Sequence, residues 1–309
     1  MGRSPTTAHG IGRCEIRSIG SPSVDPAKDR PVMRATALPL LISFVGALPA
    51  IASAQELVPH RASYDLSMRE GDSDLVDAQG RIAIEMRRKT CDTYDLDYRF
   101  VARFQQEQEL IVTDQQTRST ESADGERFDF ETKTFIDASP ENAVIGTAST
   151  RGDVTRIALT APKVRTIEVP KSLFPMQHTI VLIEQAKAGA RIVETRLYDG
   201  DEEAEKLLTS TAVIAPVPAS AAKRGAKVAE AAPGDRGASP TDQLSGLAAW
   251  RISESFYNSD SDPDGLPIFE TAYTLYENGV SDDLVLTYDG YTLAGGLASL
   301  DLLGMPACP

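Results

Sequence analysis

Histidine, cysteine and tryptophan are nearly missing. The 309 residues include three His, three Cys and one Trp. Acid–base work near neutral pH leans on His, and nucleophilic and metal chemistry on His and Cys, so few residues here can carry it. The motifs that assemble such chemistry are missing as well. There is no G-x-S-x-G elbow, no H-E-x-x-H helix and no G-x-x-x-x-G-K-[ST] loop. Basic residues are also outnumbered, 31 Lys and Arg against 45 Asp and Glu. An acidic chain is repelled by nucleic acid and by anionic membrane surfaces.

One long apolar run is present, and it reads as an export signal over residues 33–54. Arg30 and Arg34 supply the positive start, Ala35 to Leu48 the apolar stretch, and Ala52-Ser53-Ala54 a small-x-small cleavage site before Gln55. The run is too short and too broken by Pro39 and Gly46 for a stable membrane span. Residues 1–32 are rich in Ser, Pro, Gly and Arg and show no apolar period. They read as a disordered, mis-annotated extension, with Met33 as the true start. No Cys stands directly after the cleavage site, which argues against a lipid anchor. The expected product is a 255-residue periplasmic domain starting near Gln55. Losing six basic and three acidic residues takes its formal charge from −14 to −17.

Cys14 falls in the removed segment, leaving Cys91 and Cys308. An even pair in an oxidising compartment reads as a structural disulfide. It would close a loop of over two hundred residues, for which chain entropy gives roughly 5 kcal/mol. Neither a C-x-x-C redox motif nor a nearby His for zinc competes with this reading.

The apolar period of the exported part is mostly two. Tyr94, Leu96, Tyr98, Phe100, Ala102 and Phe104 share one face of a strand, with Asp95, Asp97, Arg99 and Arg103 on the other. Further strands are expected around Ile82–Ile84, Phe128–Thr134, Ile157–Leu159, Val164–Val169, Ala190–Tyr198, Leu207–Ile214, Trp250–Tyr257, Ile268–Tyr276, Leu284–Tyr288 and Leu293–Leu302. More than ten short strands indicate an all-β, mainly antiparallel barrel or strongly curved sheet. One helix stands out: Ser172 as cap, Pro175 in the first turn, Ile180, Val181 and Ile183 inside, and Gly189 as stop. The Ala/Pro-rich stretch at about 215–242 reads as a disordered insertion in a single domain spanning 55–309.

Two His remain. His60, near the start, is expected at the surface. His178, in the helix, reads either as a polar ligand contact or catalytic base or, preferably, as a helix His bonded to a backbone carbonyl or a neighbouring strand. Asp260-Ser261-Asp262-Pro263-Asp264-Gly265 has the opening of a calcium loop, but Thr271 stands where the bidentate Glu belongs, so no metal is expected. No catalytic residue and no cofactor emerge.

An ordered set of segments resembles one family, the envelope integrity protein B (EipB) family of bacterial periplasms. The segments are residues 173–179 (Leu-Phe-Pro-Met-Gln-His-Thr), 184–189 (Glu-Gln-Ala-Lys-Ala-Gly), 197–200 (Leu-Tyr-Asp-Gly), 276–280 (Tyr-Glu-Asn-Gly-Val) and 288–291 (Tyr-Asp-Gly-Tyr), with Cys91 and Cys308. The resemblance covers most of residues 57–309; the insertion at 215–242 departs from it. It implies a spiral-like β-barrel with one Cys91–Cys308 disulfide, a role in maintaining the envelope under stress, and a periplasmic tetratricopeptide-repeat partner. It brings no catalytic residues. The expected function is therefore non-enzymatic support of envelope integrity by protein–protein contact. A carrier or sensor of a hydrophobic ligand, such as an acyl chain or lipoprotein lipid, is the alternative, and an envelope-polymer hydrolase the third reading.

Overall fold

The structure is a computed structural model that describes residues 55–72, 74–200, 207–218, 239–258 and 265–307. Strands β1 (His60–Gly71), β2 (Leu75–Arg87), β3 (Thr93–Gln106), β4 (Leu110–Ser122), β5 (Arg127–Ile136), β6 (Ser139–Arg151), β7 (Val154–Ala161) and β8 (Arg165–Pro170) come first. Helix α1 (Pro175–Lys187) follows, then β9 (Ile192–Leu197), β10 (Leu208–Pro216), a 3-10 turn (Pro240–Leu244), β11 (Ala249–Asn258), β12 (Phe269–Tyr276), β13 (Ser281–Tyr288) and β14 (Tyr291–Leu302).

All fourteen strands form one antiparallel sheet in the order β8-β7-β6-β5-β4-β3-β2-β1-β14-β13-β12-β11-β10-β9. Sequential neighbours pair throughout except at one place, where β1 meets β14, His60 opposite Leu302. The early and late strands thus join at the middle of the sheet, and its two edges, β8 and β9, are consecutive in the chain. Helix α1 is the link between those edges. Leu173, just before it, bridges to Leu197 of β9, with its N–H on the Arg196 carbonyl at 2.8 Å and its own carbonyl taking the Tyr198 N–H at 2.9 Å.

Period-two burial sets the inner face. On β1, His60, Ala62, Tyr64 and Leu66 are buried and the residues between them are not. Helix α1 packs Ile180, Leu182, Ile183 and Ala186 against Met86, Tyr94, Ile214, Trp250, Ile252 and Leu275. A second cluster joins β1, β2 and β14 to Leu244 of the 3-10 turn. A third holds stacked Phe128, Phe130 and Phe174, with Tyr198 edge-on to Phe130 at 5.6 Å. Gly200 faces this cluster at φ +71°, where an added Cβ would sit 2.5 Å from the Phe130 ring.

The all-β, curved-sheet expectation holds, with one α-helix among the described residues. Three expected details change. Ser172 does not cap α1; its hydroxyl donates to the Pro170 carbonyl, and Phe174 takes the cap position with no side-chain bond. The chain folds back there to pair with β9, which turns Ser172 away from the helix. His60 is buried, 5% exposed, because it opens β1 on the inward-facing register. The ends of the 215–242 stretch are ordered: Ala215 and Pro216 continue β10 opposite Arg251 and Trp250, and Ser239–Asp242 form a reciprocal capping box. Residues 219–238 lie outside the described residues, as do the acidic loop 260–264 and the export segment. No described helix is long and apolar enough to cross a membrane.

Candidate functional site

Helix α1 is held by two buried carboxylates, one from each half of the sheet. Glu121, at the end of β4, is 2% exposed and accepts the N–H groups of Met176 and Gln177 at 2.8 and 2.7 Å. It does the work of an N-cap from a distant strand, satisfying donors that a helix leaves open at its start. Burial pushes its pKa up to about 7, against the pull of the two N–H bonds.

On the other side His178 points from α1 toward four adjacent strands. Its Nε2–H donates to Oε1 of Glu254 on β11 at 2.8 Å, and its Nδ1 lies 3.1 Å from Thr195 Oγ1 on β9. Ser210 of β10 donates to the same Glu254 oxygen at 2.6 Å, and the Tyr273 hydroxyl of β12 to the other at 2.5 Å. Burial pushes the Glu254 carboxyl up. Its bond to His178, the His178 charge and the two hydroxyl donors outweigh this and hold it below its ordinary value. Burial and the facing carboxylate drive Tyr273 well above the usual phenol range. Thr195, His178 and Glu254 follow the order hydroxyl, imidazole, carboxylate known from nucleophilic triads. Here, however, both Glu254 oxygens are engaged by three donors, and the row fastens α1 to β9, β10, β11 and β12. His178 therefore has the neighbouring-strand contact, through a carboxylate.

Beside this row the interior is not full. Two adjoining hollows of about 190 Å³ share His60, Ile84, Tyr98, Tyr273, Gly279 and Ser281 as walls. Tyr98, Ile84, Leu284 and Leu286 face inward yet are only half-buried. The His60 Nδ1 sits 2.8 Å from the Val58 carbonyl, so that nitrogen carries the proton. Burial lowers the His60 pKa, in spite of that bond.

The outer face of the same sheet is concave in two adjoining places, of about 420 and 590 Å³, which share Asp97 and Arg118. A ladder of ion pairs crosses β1 to β4 there: Arg61–Glu85 at 2.6 Å, Glu85–Arg87 at 2.5 Å, Arg87–Asp97 at 3.1 Å and Asp97–Arg118 at 3.1 Å.

Of the expected disulfide, Cys91 lies between β2 and β3, and Cys308 lies outside the described residues. The register runs Leu302–His60–Met86–Leu96 across four strands. The end of β14 and the turn carrying Cys91 therefore share one end of the sheet. Sequence reasoning did not find Glu121 or Glu254, each more than fifty residues from its partner.

A single coiled antiparallel sheet, its edges linked by an internal helix, defines a barrel-like class of β protein. Within it, the chain belongs to the EipB-like family, whose model matches residues 51–304. It is 34% identical over 268 residues to the cell envelope integrity protein EipB of Brucella abortus (strain 2308), spanning 84% of this chain and 89% of that one. The crystal structure of a beta-barrel-like protein of domain of unknown function DUF1849 from Brucella abortus matches with a TM-score of 0.70 at 32% identity, covering 81% of this chain and 100% of that one.

Proposed function

We propose that this chain is a non-enzymatic periplasmic protein that maintains cell-envelope integrity through protein–protein contact made on the outer concave face. The name of the Brucella relative supports the envelope role. The observation that carries the contact reading is the concavity spanning β14 and β1 to β6, crossed by the Arg61–Glu85–Arg87–Asp97–Arg118 ladder and larger than either interior hollow. Its alternating charges suit a polar protein surface better than a lipid tail. A tetratricopeptide-repeat protein is the partner class that the family resemblance implies. The alternative, an acyl-chain or lipoprotein-lipid carrier, has two hollows of about 190 Å³ to work with, against the 300–1,000 Å³ or so of common ligand pockets. Placement of Cys91 and the β14 end at one end of the sheet supports the Cys91–Cys308 pairing and, with it, an oxidising compartment.

The test is site-specific photo-crosslinking in intact cells. Ala83 and Thr147 are exposed and line the two concavities, while Val213 is exposed on β10, away from both. A crosslinker at Ala83 or Thr147 should trap one envelope protein that a crosslinker at Val213 does not. The same yield at all three positions, or none at the first two, would reject the surface.

A further inference from the structure

We infer that the interior hollow is a binding site for a small uncharged amphiphile, an alcohol or phenol with one ring or a short alkyl chain, whose hydroxyl donates to Nε2 of His60. This goes beyond the outer-face contact and does not depend on it.

Three observations carry it. The first is size. An engineered apolar cavity of about 150 Å³ takes up benzene, so each hollow of about 190 Å³ has room for one ring or a short chain. The second is lining. Ile82, Ile84, Leu284 and Leu286 offer an apolar wall on one side, and Tyr98 and Tyr273 offer ring faces. Ile84, Tyr98, Tyr273, Leu284 and Leu286 keep accessible surface in a core where their neighbours Ala62, Tyr64 and Leu293 have almost none. The third is His60. A carbonyl only accepts, so the Val58 contact puts the ring proton on Nδ1 and makes Nε2 of the neutral ring an acceptor. His60 lines both hollows, and its Nε2 is not among the sealed, unpartnered atoms of the core. Burial, which lowers the His60 pKa, favours that neutral form.

The pattern selects among ligands. A hydroxyl donor fits the Nε2 acceptor. A carboxylate brings a second lone pair against it and has no cation opposite. A bare hydrocarbon leaves the nitrogen unmatched.

Three probes of one shape test this in purified protein: 4-propylphenol, propylbenzene and 4-propylbenzoate, titrated while the His60 ring nitrogens are followed by 15N NMR. The phenol should saturate and shift the Nε2 signal, and the benzoate should bind weakest. His60→Phe should weaken the phenol at least threefold and change propylbenzene less than twofold. Ile84→Trp, which enlarges a wall common to both hollows, should abolish phenol binding with His60 intact, so the idea stays testable should His60→Phe fail to fold. Equal binding of all three probes, no saturable binding at millimolar phenol, or an unmoved Nε2 signal would overturn it.

Discussion

The His178–Glu254 pair gives the sharpest energetic prediction. His178→Leu removes one of three donors to a carboxylate that is 3% exposed in its side chain. Ser210 and Tyr273 remain, but the one basic partner among the described residues is gone. Breaking a buried pair from one side costs about 3–5 kcal/mol, because the remaining charge is stranded. For a domain of this size each kcal/mol moves Tm by roughly 2–4 °C. His178→Leu should therefore lower Tm by on the order of 10 °C. Glu254→Gln keeps acceptor and donor capacity without the charge and should cost less. The assay is a double-mutant cycle by reversible denaturant unfolding, with disulfide status held constant. If the pair is a unit, the double variant will be at least about 1 kcal/mol more stable than the sum of the single effects predicts. Strict additivity would refute the claim that His178 acts through Glu254.

Two further outcomes follow from the other restraints. Glu121 holds its proton more tightly folded than unfolded, so its contribution falls as pH rises from about 4.5 to about 7. Glu121→Gln, compared with the parent at pH 4.5 and pH 8, should gain relative stability with rising pH, by on the order of 3 kcal/mol; a constant gap would contradict this. Cys91→Ser should lower Tm by several degrees, and mass spectrometry under alkylation should show Cys91 and Cys308 unreactive together in the parent; two alkylated thiols would dismiss the pairing.

Strands with mixed faces were legible in the sequence. Tyr94 to Phe104 announces β3 because apolar and charged residues alternate along it, and Leu293 to Leu302, mostly apolar and small, marks much of β14. β4 was not legible for a physical reason. Its inward residues, Thr113, Gln115, Thr117, Ser119 and Glu121, are all polar: Gln115 and Thr117 lie opposite Thr134 and Thr132, and Glu121 caps α1. β6 hides similarly, with Val144, Gly146 and Ala148 inward, and Gly146 leaves room for the Phe130 ring, which an added Cβ would meet at 2.9 Å. β1 did carry the signal, since His60, Ala62, Tyr64 and Leu66 alternate with Arg61, Ser63 and Asp65. Proximity to the exported start suggested exposure for His60, whereas pairing to both β2 and β14 buries it.

The helix was legible and its anchors were not. Pro175 opens α1 and Gly189 ends it, at φ +85°. Its local cap candidate, Ser172, was the obvious choice by spacing, but the donors are met by Glu121 from 55 residues upstream. Glu254 joins His178 across 76 residues. No local pattern encodes such pairs. They exist because the sheet coils until β4 and β11 both face the helix between its edges.

The proposed contact on the outer face is tested most directly by complementation under envelope stress. In a native host lacking this chain, survival in detergent or a cell-wall antibiotic should fall, and the parent chain should restore it. Ala83→Arg combined with Thr147→Arg fills both concavities, breaks no ion pair and should leave Tm unchanged, yet should fail to restore survival. Full restoration by that folded double variant would contradict the account.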